Sequence, residues 1–393
     1  MSHARITAVT SIIRDGAGKV PGLLAVLALV TDPRKPRGRR YGLVFVLAVA
    51  AACTLAGAKT FREIGDHAAD LPQDVLRDLG GRPHPLLRKV IAPSETRIRT
   101  LLHLIDAEVL DQVLGGWLRD LADAGRLDGL LTAIAVDGKW LRGVLDGQVK
   151  LFSAMLHHEK AVIAQVRVPD DTTEATQVKA LLGNVGLRNA VVTADAAHSG
   201  AETAKYIAGK EEDGGRESDY FLFVKGNTPS LLRACFDVIQ ASGKGRAPDW
   251  TDPDRSHGRI VRRSIWVAGA DGIDFPQATR VARIRRDRYD ADGALVSKEI
   301  VHAVTSLDAK KASAEDLARI ARGQWGIESV HWVRDTAWHE DANTGYAGNG
   351  PQAMATLRNL AVSLLYLNGV TEVTRTLQAI ARDRNRLRNY LPL

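Results

Sequence analysis

Residues Leu131–Arg142 read LTAIAVDGKWLR, an apolar run closed by Asp137-Gly138-Lys139. A short apolar run ending in Asp-Gly has the grammar of a buried strand that stops at a turn. A carboxylate at the exit of such a strand sits at a sheet edge, within reach of ligands and metal ions. The same grammar recurs at Ala190–Asp195, AVVTAD, and a third acid, Glu328, lies in ARGQWGIESVHW, which has helical spacing. The chain therefore reads as a scaffold that brings two strand-end aspartates and one helix glutamate together.

Downstream of that stretch, Val149–Leu156 and Ala161–Val168 are expected to pair as strands. Glu174–Leu182 follows as a helix, Ala190–Ala194 as a strand, Glu202–Lys210 as a helix and Tyr220–Val224 as a strand. Three strands, helix, strand, helix, strand is a mixed α/β pattern. If the first and fourth strands are neighbours, Asp137 and Asp195 lie side by side. Upstream, residues 1–130 are expected to be all-α: Leu23–Val30, Leu43–Ala58, Phe61–Leu71, Asp74–Leu79 and a long Thr96–Leu130, separated by Pro and Gly.

Residues 241–258 read as a polar loop, followed by strands at Arg259–Val267, Arg280–Arg288 and Val296–Thr305. The roughly 130 residues between the second and third acids exceed any ordinary loop, so a basic β element is inserted near 241–310. Ser313-Ala314-Glu315-Asp316 opens a helix in the style of a capping box, running past Glu328, with Trp325 or Trp332 as its packing contact. Helices are also expected at Pro351–Leu367 and Thr371–Tyr390. The expected division is a helical unit at 1–130, an α/β unit carrying the three acids at 131–370 and a basic C-terminal helix at 371–393.

Composition narrows the class. With 45% apolar and 25% charged residues the chain is not a disordered one. A net charge of +7 favours a polyanionic partner. Two cysteines, Cys53 and Cys235, are too few and too far apart for a zinc site or a disulfide framework, which fits a reducing cytoplasm. Gly42–Ala58 lacks charge over 17 residues, the lower limit for a membrane span, but it is rich in Ala and Gly and is expected to be a buried helix.

Phosphodiester chemistry needs an activated hydroxyl nucleophile and relief of charge on the leaving oxygen. Two divalent ions about 4 Å apart supply both, and hard cations prefer carboxylate ligands. Asp137, Asp195 and Glu328 are therefore the expected catalytic acids and ligands of two Mg²⁺ or Mn²⁺ ions. Taken singly, each has a plainer reading: two turn formers and one solvated helix residue. Glu328-x-x-His331 has di-iron spacing, but its only counterpart, Glu299-x-x-His302, falls in an expected strand that splits the pair between faces. No His-Glu-x-x-His, phosphate-cradling glycine loop or Gly-x-Ser-x-Gly occurs. His198, three residues after Asp195, is a candidate donor to it. For double-stranded DNA, Arg34, Lys35, Arg37, Arg39 and Arg40 form a candidate phosphate arm. Arg97 and Arg99, on the first turns after the N-cap candidate Ser94, suit a recognition helix. Lys139 and Lys225, just beyond their strands, are candidate phosphate holders.

AVDGKWLRG, VVTADAAHS, YFLFVKGNTPSLL, WGIESVHWVRDTAWHED and GPQAMATLRNLAVSLL, in that order, resemble DDE-type insertion-sequence transposases. The group that includes the H-repeat-associated proteins is the most similar, and DPRKPRGRRYGLVFVLAVAAACTLAGAKTFREIGDHAADLP with PSETRIRTLLHLID looks like its N-terminal transposase-associated domain. The resemblance implies a ribonuclease-H-like core whose acids map to Asp137, Asp195 and Glu328. It also implies cleavage of element ends and 3′-hydroxyl attack on target DNA, by a homodimer or higher oligomer on DNA and with no membrane role. Relatives carry Tyr, Arg and Lys around the glutamate; here Ala321, Gln324 and Asp335 stand there, and Arg322 takes the arginine's part. The basic run that follows the relatives' Glu-Asp pair is replaced after Glu340-Asp341 by Asn343-Thr344-Gly345-Tyr346. The alternative is an inactive or domesticated DNA-binding derivative.

Overall fold

A computed structural model of the protein describes residues 20–37, 39–126, 131–142, 148–243, 245–256, 259–343 and 347–393. Its strands are β1 (Thr132–Leu141), β2 (Val149–Leu156), β3 (Val162–Val168), β4 (Ala190–Ala194), β5 (Asp219–Val224), β6 (Trp250–Ser256), β7 (Arg259–Gly269), β8 (Arg280–Tyr289) and β9 (Leu295–Thr305). Among the described residues they join one mixed sheet in the order β3-β2-β1-β4-β5-β9-β8-β7-β6. β1, β4 and β5 run parallel, while β2 and β3 form an antiparallel edge. The inserted strands do not form a separate element. β9 pairs antiparallel with β5, and β8, β7 and β6 extend the same sheet outward.

Two strand readings are corrected. β6 lies inside the stretch read as a loop. Its sequence, WTDPDRS, carries a proline, which an edge strand tolerates, and β6 is the sheet's outer edge. β1 does not stop at Asp137: pairing with β2 continues from Asp137↔Ser153 to Leu141↔Val149. What ends there is the parallel ladder with β4, whose last pair is Val136↔Ala194. The Asp-Gly signal marked a change of partner. A Cβ at Gly138 would meet the carboxylate of Glu174, which would have to shift.

The N-terminal helices are α1 (Leu23–Leu27), α2 (Leu43–Leu55), α3 (Phe61–Ala69), α4 (Gln73–Asp78), α5 (Glu95–Leu104) and α6 (Ala107–Ala124). The single helix expected at Thr96–Leu130 is α5 plus α6. Asp106 accepts hydrogen bonds from the N–H groups of Glu108 and Val109 (both 3.1 Å) and starts a new helix; residues 127–130 lie outside the described ones. α2 is buried along nearly its whole length, and among the described residues no helix is long and apolar enough to cross a membrane.

Helices α7 (Val178–Leu182), α8 (Ala201–Ala208) and α9 (Pro229–Ala241) cover one face of the sheet, against Ile134, Val136 and Val192. α10 (Ala314–Trp338) and α11 (Gly350–Leu367) lie on the other. α11 is buried from Gly350 to Leu365 and packs among α2, α5 and α6. The last third of the chain thus supplies the centre of the N-terminal helical layer. Trp338, fully buried at the end of α10, donates to the Thr54 carbonyl (2.9 Å), and burying its side chain contributes about 2–3 kcal/mol. The expected helix Thr371–Tyr390 is broken: α12 (Val373–Arg382) ends, and Asp383 caps a 3₁₀ turn by accepting from the Asn385 N–H (3.1 Å). Two of its arginines, Arg384 and Arg388, reach acids of the N-terminal helices. Arg388 pairs with Asp74 (2.8 Å) and Asp78 (2.6 Å), and the Leu23 N–H donates to the Pro392 carbonyl (2.7 Å).

Candidate active site

α10 begins with the expected capping box: the Ser313 hydroxyl accepts from the Asp316 N–H (3.1 Å), and the Asp316 carboxylate accepts from the Ser313 N–H (2.9 Å). The helix buries Ile327 and Val330 and lies across β1 and β4. Trp325 is the packing contact, with its ring 5.8 Å from that of Phe223, whereas Trp332 is 66% exposed.

The β1–β4 register places Asp137 and Asp195 immediately beyond the last parallel pair, on neighbouring strands. Glu328 lies on α10, the helix packed on both of those strands. Partial burial and then the charges of Asp137 and Asp195 push its carboxyl above the ordinary range, while Lys225 pulls the other way. Three acids from β1, β4 and α10 therefore share one electrostatic neighbourhood. Basic side chains sit against two of them: Lys225 Nζ is 2.8 Å from Asp195 and His331 Nδ1 is 3.5 Å from Asp137. Among the described residues no three His, Cys, Asp or Glu side chains close into a formed metal-binding group. The donor chemistry nonetheless fits a hard divalent cation: carboxylate oxygens from separate elements, mutually repelling, two of them already facing basic side chains.

The sequence names His331 only for its di-iron spacing with Glu328, and Gln324 only as a replaced signature position. Lying three residues after and four before Glu328, both share its helix face, and that shared face is the signal for a role beside it. His198 does not serve Asp195; its Nε2 faces Glu174 (3.1 Å) on the opposite side of β1.

The DNA candidates separate into groups. Lys139 is corrected: it is only 7% exposed, with Nζ 2.7 Å from both Asp335 oxygens and 3.6 Å from Asp341. A buried ammonium is retained only when paired, and this one faces carboxylates rather than solvent. Arg322 joins α10 to β6 through Asp252 (3.2 Å) and Asp254 (3.1 Å). Arg34 is held by Asp32 (2.9 Å), Arg39 lies 3.5 Å from Asp32, and Arg40 covers the Tyr41 ring at 5.8 Å. Lys35, Arg37, Arg97 and Arg99 are exposed, Arg99 lying 3.3 Å from Glu95, and Lys225 rests on Asp195. Ser94 stands at the N-cap of α5 without a side-chain cap bond. Of the run after Glu340-Asp341, residues 344–346 lie outside the described ones. Glu340 is buried between Arg334 (2.8 Å) and Arg358 (2.9 Å); burial alone would raise its carboxyl, but the guanidiniums bring it down to about 2.

Comparison with known proteins bears on this arrangement. The family model described as "Transposase DDE domain" matches residues 133–364, and that described as "DDE_Tnp_1-associated" matches residues 24–118. An Escherichia coli O157:H7 protein named "Putative transposase YncI" is 25% identical over 365 residues, covering 88% of this chain and 87% of its own. "H repeat-associated putative transposase YhhI" of Escherichia coli K12 is 23% identical over 387 residues, covering 94% and 97%. Among solved structures, a piggyBac transposase synaptic complex with hairpin DNA aligns at a TM-score of 0.42 and 9% identity over 98% of this chain and 84% of that one.

Proposed function

The chain belongs to the transposase DDE domain family, and from that premise we propose that it is a DNA transposase of an insertion sequence. It would cut the ends of its element and join the freed 3′-hydroxyls to target DNA. The observation that supports this reading is the β1–β4 register, which sets Asp137 and Asp195 side by side beneath the helix that carries Glu328; the upward push of both aspartates on the Glu328 carboxyl agrees with it. The strand order β3-β2-β1-β4-β5, with β2 alone antiparallel to β1, supports a ribonuclease-H-like core carrying those acids. Asp137, Asp195 and Glu328 would hold two Mg²⁺ or Mn²⁺ ions. When bound, such ions neutralise the scissile phosphate and make a hydroxyl nucleophilic near neutral pH. Lys225 would orient Asp195, and His331 would orient Asp137. Lys35, Arg37, Arg40, Arg97 and Arg99 are the phosphate contacts we propose on double-stranded DNA, with Arg34, Arg39, Lys225 and Arg322 reaching it only on leaving their present partners. Assembly as a dimer or higher oligomer on DNA belongs to the same proposal.

The test is strand cleavage of element-end DNA with Mg²⁺. Asp137→Asn, Asp195→Asn and Glu328→Gln remove metal-binding charge with little change of shape, so each should abolish cleavage and leave DNA binding largely intact. A variant that still cuts near the wild-type rate removes its residue from the set.

A further inference from the structure

Gln324 sits one helical turn before Glu328 and is buried between α10 and the sheet. Its amide bridges the helix to the two strands that carry the aspartates. Nε2 donates to the main-chain carbonyl of Val136 (3.1 Å), the residue before Asp137. Oε1 accepts from the hydroxyl of Thr193, two residues before Asp195. The Thr193 oxygen in turn meets His157 Nε2 (2.9 Å). Because the threonine hydrogen goes to Gln324, the imidazole is the donor in that pair, and burial keeps the ring neutral by pushing its pKa down to about 3. The chain of donors runs one way, from His157 to Thr193 to Gln324 to Val136. Gly323 leaves room for it: a Cβ at that position would strike the His157 ring. On the other side of Glu328, two turns along α10, Asp335 accepts from Lys139 (2.7 Å), two residues after Asp137. The helix is thus fastened to β1 on both sides of Asp137, from positions on both sides of Glu328.

Three carboxylates in one neighbourhood repel, and that repulsion would push α10 away from the β1–β4 edge. Both fastenings oppose that movement. Resting on the reading of these acids as metal ligands, we propose that Gln324 is a positioning residue: its amide, fixed to Val136 and Thr193, holds Glu328 in place against Asp137 and Asp195 so that a divalent ion can be bound. Groups that orient metal ligands from behind typically change metal affinity 10- to 100-fold when removed. A purely structural Gln324 would lower thermal stability without a specific loss of metal affinity.

The experiment is a Mn²⁺ titration of the full chain followed by the electron paramagnetic resonance signal of free Mn²⁺, alongside nicking of supercoiled plasmid. Gln324→Leu should weaken Mn²⁺ binding at least tenfold while retaining one cooperative melting transition, and nicking should fall with it. Thr193→Val, which removes a hydroxyl and keeps the shape, should shift affinity in the same direction by less. The double variant should bind like Gln324→Leu alone, because both act through one chain of hydrogen bonds. Mn²⁺ affinity within twofold of wild type in Gln324→Leu overturns the proposal. Should that variant not fold, unchanged affinity in Thr193→Val overturns it instead. Wild-type protein that binds no Mn²⁺ removes the metal-ligand reading itself and this proposal with it, whereas an effect of Glu328→Gln without one of Gln324→Leu removes this proposal alone.

Discussion

Asp111 shows how a single buried group writes itself into the behaviour of the whole chain. Its carboxylate accepts from Gln165 Nε2 (3.2 Å), Gln352 Nε2 (2.9 Å) and the Thr356 hydroxyl, tying α6 to β3 and α11. Burial outweighs those hydrogen bonds and pushes its carboxyl up to about 7. The unfolded chain releases the same proton near pH 4, so between about pH 4 and about pH 7 the folded state binds the extra proton. The stability this group contributes is complete below that window and is lost as pH rises through it, on the order of 4 kcal/mol at most. Asp111→Asn cannot ionise. Its melting temperature relative to wild type should therefore rise from pH 5 to pH 8 in calorimetry; a constant difference would show that Asp111 does not titrate there.

Among the elements, α10 carries Glu328, and its start is set by a reciprocal cap. Ser313→Ala removes the acceptor for the Asp316 N–H and should cost about 1 kcal/mol in urea unfolding with an unchanged denaturant slope. That cap was legible in sequence, as were β2, β3, β4 and β5, because each is announced within a few residues by a period or a capping pattern. The breaks at Asp106 and Asp383 were not, since a mid-helix aspartate reads equally as a solvated residue until its cap bond is seen. β6 was missed because an edge strand needs only one partner and can carry a proline. The three proposed acids were singled out for the same local reason as the strands, each at the end or in the middle of an apolar pattern. Gln324 and Asp335 were not, because their partners Val136 and Lys139 lie 188 and 196 residues away, separations that no local period encodes.

For the molecule as a whole, the helical layer and the α/β unit share one hydrophobic core. It runs from Leu23 through α2, α5 and α6 to Met155 of β2, Trp338 of α10 and the length of α11. Cutting the chain before Thr132 would leave α11 and Trp338 without their packing partners. A protein spanning Thr132–Leu393 should bind a hydrophobic dye, lose near-ultraviolet circular dichroism and elute as aggregate in size-exclusion chromatography. A monomeric, cooperatively melting fragment would show that the shared core is dispensable. The placement of α11 also bears on synthesis. The helices it centres, α2, α5 and α6, leave the ribosome first, and their missing partner follows some 230 residues behind. At about 5–20 residues per second, the N-terminal helices wait roughly 10 to 45 seconds with apolar faces uncovered. During that interval the nascent chain is a client for chaperones, and the rate of translation sets how long it stays one.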